Sequence, residues 1–414
     1  YGDGKTSIRA GFGMFDVLPL PYLMENRTNS APFFEEGTVT TLPPSAFPTG
    51  GLALLTPSTL RGSYVEGHPG RAYSMQWNLS VQRELASDMV LTLGYVGSRA
   101  NHLPRSIEDA DQVPPNLVTV SADGHLVFPT NPTLKKGGPI PKVNSNFGRI
   151  ATTLWDDFST YHSLVADFDK RFSHGFLLKA AYTWSKSIDE GSNTFSDNET
   201  TNTSGVAYSF FPQLQRAVSD FDITQRFVLT YSWAVPTPDS FSGPTKALLA
   251  GWELGGIFSA QTGPPFTVTL KNDRARTGDS RVGSSSGGQR PDYNPAPGCS
   301  PNAVNPGNPL NYIKLQCFSF PALGELGNLG RNTLRGPRLE DFDISLFKNW
   351  PLWREQTSLQ FRVEAFNVLN HANFQEPKTK IFDGSGNSIP VSAQIPSPTA
   401  TPERQIQFAL KLTW

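Results

Sequence analysis

Two short motifs place nucleophile-type or phosphate-type residues close together. Gly4-Lys5-Thr6 carries the Lys-Thr pair of a phosphate-binding loop, and Gly278-Asp279-Ser280 sets a serine among small residues. A phosphate loop needs a further glycine upstream and a helix downstream. Here that glycine would precede residue 1, and a strand-period segment follows. A nucleophilic serine of the hydrolase kind needs a small or apolar follower and a histidine partner. Arg281 follows instead, and no partner is evident. The six histidines, among them His68, His102, His162, His174 and His371, show no ligand spacing, so no metal site is expected. Asp189, Glu190, Asp197 and Glu199 could supply oxygens to calcium or form an ordinary solvated loop. Asp383 to Asn387 reads as a tight turn. No catalytic, cofactor-binding or metal-ligating residue is assigned, and the chain is not expected to be an enzyme.

Cys299 and Cys317 stand in one Gly/Pro/Asn-rich stretch without CxxC spacing. In an oxidising compartment they could close a loop of about 19 residues, worth about 3 kcal/mol; the alternative is two unpaired thiols. Lys+Arg (35) and Asp+Glu (36) balance, and no basic stripe marks a nucleic-acid partner. Mean hydropathy is −0.33, and no run approaches the roughly 18 apolar residues of a membrane helix. A membrane strand needs only about 9–11 residues, apolar at alternate positions.

Such alternation is what the elements show. Strand-period segments run from Thr6 to Phe15, Tyr73 to Val81, Met89 to Tyr95, Tyr161 to Phe172 and Phe176 to Ser185. Others run from Arg226 to Val235, Trp252 to Ala260, Phe342 to Lys348, Leu359 to Phe366 and Gln405 to Trp414. The last is the clearest, with Ile406, Phe408, Leu410, Leu412 and Trp414 on one face. The fourth is less clean, with Leu164, Ala166 and Phe168 set opposite Asp167 and Asp169. No helix of 12 or more residues is expected.

The links between segments alternate in length. Long ones fall at about 16–72, 98–159, 188–222, 262–340 and 370–403; shorter ones fall at about 83–88, 173–175, 236–250 and 350–356. A soluble sandwich has no reason to sort its loops this way. An outer-membrane barrel does, because its periplasmic turns are short and its extracellular loops long. The expected fold is therefore all-β, an antiparallel up-and-down transmembrane β-barrel region over 1–414.

Aromatic placement fits two interfacial girdles. Trp233, Trp252, Trp350, Trp353 and Trp414 lie near the short-link ends, and Tyr73, Tyr95, Tyr182 and Trp184 nearer the other. The alternative is the buried aromatic core of a sandwich. Arg9, Gln76, Asn78, Lys179, Arg226, Gln360, Arg362, Glu364 and Lys411 fall on the polar face, expected to line the lumen. In lipid every backbone group must pair, so such strands close on themselves.

Several phrases resemble TonB-dependent transporters of the Oar-like type. They include Ile8-Arg9-Ala10-Gly11-Phe12-Gly13, Gln76-Trp77-Asn78-Leu79-Ser80-Val81-Gln82-Arg83-Glu84 and Gly94-Tyr95-Val96-Gly97-Ser98. Ala181-Tyr182-Thr183-Trp184-Ser185-Lys186-Ser187, Asp222-Ile223-Thr224-Gln225-Arg226-Phe227 and Gly327-Asn328-Leu329-Gly330-Arg331-Asn332 continue the likeness. Phe361-Arg362-Val363-Glu364-Ala365-Phe366-Asn367-Val368-Leu369-Asn370 and Trp414 complete it. Phe15-Asp16 departs from it where a tyrosine is expected between aromatic and acid.

The resemblance implies a 22-stranded barrel filled by a plug and preceded by a carboxypeptidase-regulatory-like domain. About ten strands are legible here. Residue 1 opens on Tyr1-Gly2-Asp3-Gly4-Lys5-Thr6 without Met or signal-peptide regions, so the chain reads as the C-terminal part of something longer. The plug and the segment that would meet a TonB-type energy transducer are expected before Tyr1. The apolar row Ile406, Phe408, Leu410, Leu412 and Trp414 also resembles the signal read by outer-membrane assembly machinery.

The expected function is uptake of a bulky ligand across the outer membrane of a Gram-negative-type cell, with membrane lipid around the barrel and no cofactor. The alternatives are an outer-membrane barrel for adhesion, secretion or envelope structure, and a secreted soluble β-sandwich binding module.

Overall fold

Alternating apolar and polar residues commit the chain to strands with two unlike faces, and neighbouring strands then pair so that like faces match. The computed structural model describes residues 2–21, 34, 37, 39, 41–46, 50–107, 109–130, 140–192, 208–279, 289–352, 357–395 and 399–414. Ten long strands follow in chain order: β1 (Thr6–Asp16), β2 (Tyr73–Ala86), β3 (Met89–Ile107), β4 (Arg149–Ser173) and β5 (Phe176–Asp189). The rest are β6 (Gln225–Ala234), β7 (Trp252–Gln261), β8 (Leu339–Pro351), β9 (Ser358–Phe366) and β10 (Gln405–Thr413). Each pairs antiparallel with the next in one meandering sheet. Among the described residues β1 and β10 are its edges.

The register carries one predominantly apolar face across the sheet. Ile8 lies opposite Val81, Val81 opposite Leu93, Leu93 opposite Ala166, Ala166 opposite Tyr182, and Tyr182 opposite Phe227. At the other edge, Leu346 faces Val363 and Val363 faces Phe408. We call this the outward face. It is not covered: Phe12 is 71% exposed, Phe408 71% and Leu410 70%. A sandwich would seal these side chains beneath a second layer.

In a meander, alternate links leave opposite ends. The links at 87–88, 174–175, 235–251 and 352–357 share one end, and those at 17–72, 108–148, 190–224, 262–338 and 367–404 share the other. Left-handed backbone at His174 and Gly175 closes the tight β4–β5 hairpin. The 235–251 link contains one short helix, α1 (Gly243–Leu249).

Two features depart from the alternation. β3 and β4 run on into both ends of the 98–159 stretch expected to be a link. Bulges at Asn101/Leu103 and Leu103/Arg105, with His102 at φ 53°, shift the phase there and hide the strand from a period-two reading. Arg61–Val65 adds to β4 in parallel, opposite Arg149 to Thr153, so the sheet is not wholly antiparallel.

The hydrophobic core lies among the long links. Phe266, Val268, Leu270, Ile313, Cys317, Leu334 and Ile381 form one buried cluster; Val113, Phe128, Tyr208, Ala275 and Leu326 form a second.

Candidate functional site

The outward face gathers the aromatic residues singled out in the sequence. The pairings set Tyr73, Tyr95, Tyr182, Trp184, Trp233, Trp252 and Trp350 in the same face as Ile8 and Phe408, and alternation past Leu412 puts Trp414 there too. Glycines make room for the rings. A Cβ on Gly97 would lie 2.4 Å from the Trp77 indole, and one on Gly256 2.7 Å from the Tyr231 ring. The Tyr95 hydroxyl meets His162 Nδ1 at 2.7 Å on this face. Ile406, Phe408, Leu410 and Leu412 each stand opposite an apolar residue of β9. Trp353 lies outside the described residues.

The opposite face collects Arg9, Gln76, Asn78, Lys179, Arg226, Gln360, Arg362, Glu364 and Lys411. Lys179 pairs with Asp169 at 3.5 Å, and Arg362 with Glu364 at 3.4 Å. Gln407 Nε2 donates to the same Glu364 carboxylate, and Gln360 Nε2 to Asn349 at 2.9 Å. Asp341, Asp343 and Glu253 also point this way, opposite Ser259, Ile257 and Phe347. For Asp341 and Asp343 the signal is present in the sequence, since they alternate with Phe342, Ile344 and Leu346; Glu253 is harder to place because Gly255 and Gly256 interrupt the alternation of its segment.

Beyond the strands, charged residues from distant links are stitched together. Arg331, nearly buried, donates to the Asp189 carboxylate, to Asp220 Oδ1 at 3.3 Å, to the Gln215 carbonyl at 2.8 Å and to Ser192 Oγ at 3.0 Å. Asn332 Nδ2 donates to Asp220 Oδ1 at 2.6 Å and to the Val218 carbonyl at 2.7 Å. Arg335 holds Asp222 Oδ2 at 2.7 Å, and Asp222 Oδ1 accepts from the Ser187 amide at 2.8 Å. Residues of Asp222-Ile223-Thr224 and Gly330-Arg331-Asn332 thus share one buried polar seam, which their separation in the chain concealed. Nearby, burial draws the Arg290 guanidinium down to about 10, with Arg331 adding repulsion. Burial also pushes Glu376 up to about 7, and Asp220 adds to this.

The seam accounts for one of the set-aside motifs: the cation beside Asp189 is a guanidinium. Asp197 and Glu199 lie outside the described residues. Asp273 accepts from the Thr277 amide at 2.9 Å and the Gly278 amide at 3.1 Å, so the backbone leading into Gly278-Asp279 wraps on a carboxylate. Burial raises the Asp273 carboxyl in spite of those bonds. Ser280 and Arg281 lie outside the described residues. Gly4-Lys5-Thr6 leads into β1, where the Lys5 amide donates to Asp3 Oδ1 at 3.0 Å. His125, the remaining histidine, stands 3.6 Å from Asp292 and 3.5 Å from Glu325, and so bridges two links. Among the described residues no group of three or more His, Cys, Asp or Glu is arranged to hold a metal ion. Cys299 and Cys317 are disulfide-bonded with Cα atoms 5.5 Å apart, and Cys317 is buried in the larger cluster.

Between the 262–338 and 367–404 links opens a cleft of about 660 Å³, lined by Tyr312, Phe374, Pro306 and Pro309 with Arg335, Arg338 and His371. The volume falls in the range of small-molecule sites. Apolar walls with a few cationic and amide groups can hold an amphipathic ligand.

Residues 2–407 match a family model described as Outer membrane beta barrel domain. No curated protein matches the sequence. Among solved structures, the chain is similar to BauA, the ferric preacinetobactin receptor of Acinetobacter baumannii, at 10% identity and TM-score 0.41. That match covers 100% of this chain and 35% of that one. It is similar to the outer membrane transporter YddB of Escherichia coli at 9% identity and TM-score 0.38, over 86% of this chain and 34% of that one. For FpvA of P. aeruginosa, bound to heterologous pyoverdines, the values are 10% and 0.36, over 99% and 31%. The chain spans about a third of the length of these structures.

Proposed function

Since the chain belongs to the outer membrane β-barrel domain family and its place is the outer membrane, we propose that it is barrel wall and outer mouth of a TonB-dependent transporter of the Oar-like type. The outward face then meets lipid. Arg9, Gln76, Asn78, Lys179, Arg226, Gln360, Arg362, Glu364 and Lys411 line the passage. The long links stand outside the cell and the short ones in the periplasm. Ligand is captured at the long-link end and released inward when a plug, encoded before Tyr1, is pulled by a TonB-type transducer. The assembly machinery reads Ile406, Phe408, Leu410, Leu412 and Trp414. The work is binding and gating, without bond chemistry.

The observation that supports this reading best is the combination of a two-faced sheet with a folded, cleft-bearing link assembly at one end only.

The test is uptake by cells expressing the gene with its upstream sequence, with and without their transducer. The probes are a labelled ferric chelate, an oligosaccharide and an oligopeptide. Saturable accumulation of one probe, abolished without the transducer, is expected. Surface binding with no accumulation in either strain points to adhesion and overturns the transport reading.

A further inference from the structure

The 235–251 link is the longest of those at its end, and it folds back onto the sheet. Lys348 of β8 belongs to the outward face, between Trp252 of β7 and Phe361 of β9. It is only 3% exposed. Its ammonium donates to the carbonyls of Ala247 at 2.6 Å and Leu248 at 3.0 Å, the last turn of α1. The Trp350 indole N–H donates to the Ala247 carbonyl at 2.9 Å, and that of Trp252 to the Leu248 carbonyl at 3.0 Å. The two indoles also flank the ammonium, their ring centres 4.9 and 5.6 Å from Nζ.

Three donors on an apolar face therefore find acceptors in the carbonyl end of one helix, where positive charge is favoured. This fixes α1 on the outward side of the sheet. No residue of α1 is buried, and its Leu248 and Leu249 are 63% and 50% exposed.

We propose that α1 is an interfacial foot. It lies in the headgroup and adjoining acyl layer of the periplasmic leaflet beside the barrel, with Leu248 and Leu249 in lipid. Its occupant is bilayer phospholipid, because the patch continues the apolar surface that the family places in the outer membrane. Within that surface an unsatisfied ammonium or indole N–H would otherwise face hydrocarbon. The inference rests on the outward face meeting lipid.

The two native cysteines are paired with each other, so an added thiol can be spin-labelled selectively. Labels at Leu248→Cys, Leu249→Cys, Phe408→Cys and Ser385→Cys are compared in protein reconstituted into phosphatidylethanolamine/phosphatidylglycerol vesicles. The readout is collision with oxygen, which is enriched in lipid, against a nickel chelate confined to water. The expected result is an oxygen-favoured ratio at 248 and 249, shallower than at 408 and opposite to that at 385. Lipid contact at 408 with water contact at both 248 and 249 overturns the foot and leaves the membrane face intact. Water contact at 408 overturns both.

Discussion

Replacing Arg331 with methionine strands two carboxylates. The side chains of Asp189 and Asp220 are 2% and 6% exposed, and that of Arg331 is 4% exposed. The substitution keeps an apolar stem of similar length but removes the donors to Asp189, Asp220, Ser192 and the Gln215 carbonyl. Breaking a buried pair by removing one partner costs about 3–5 kcal/mol, because the other charge stays desolvated. At tenfold per 1.4 kcal/mol this corresponds to a factor of about a hundred to a few thousand in local opening. Hydrogen exchange of the reconstituted protein reads it directly. The amides of Ser219, Asp222 and Asn332, held by Ser187, Ser219 and Thr267, are expected to exchange faster by about that factor. Amides in the middle of β9 and β10 should not change. Adding Asp189→Asn and Asp220→Asn should recover most of the protection. Unchanged exchange at those three amides, or an equal rise across the strands, would refute the idea that one guanidinium holds the link assembly together.

Phe408→Arg should lower stability to urea in phospholipid vesicles by about 2–4 kcal/mol, the range for a charge near the bilayer midplane. Gln407→Arg, on the opposite face, should change it by under about 1 kcal/mol; equal losses contradict the two-faced assignment. Cys299→Ser opens a loop whose ends lie 18 positions apart. It should cost the link assembly about 3 kcal/mol, seen as earlier proteolysis in 262–338 with the strands left intact. Glu376 has a folded pKa of about 7, above its ordinary value, so the folded links hold its proton more tightly than the unfolded chain does. Its contribution to the stability of the 367–404 link should therefore be fully present in acid and be lost as pH rises from about 4.5 through 7. Glu376→Gln should flatten that slope in a proteolysis series across the same range.

The sheet was legible because its determinant is local. Ile406, Phe408, Leu410 and Leu412 announce both strand and face within a few positions, and the register with β9 sets each of them opposite an apolar residue. β4 was harder to read because His162 and Lys170 interrupt its outward row, and bulges in its neighbour β3 change the phase. The link assembly was not legible. Its seam joins Arg331 to Asp189 across 142 positions, and no periodicity connects them. The same holds for α1, seven residues long and held by Lys348 and the indoles of Trp252 and Trp350. In the sequence these three side chains occupy ordinary strand positions, and only the pairing of β7 with β8 brings them together.

With the dry interior gathered beyond one end of the sheet, the molecule divides into a part that tolerates rewriting and a part that does not. An added residue inside β9 would turn every side chain after it to the wrong medium, whereas a lengthened 300–312 segment would reshape the cleft and leave each strand's alignment as it was. The sheet can thus stay fixed while the links that line the cleft are rewritten.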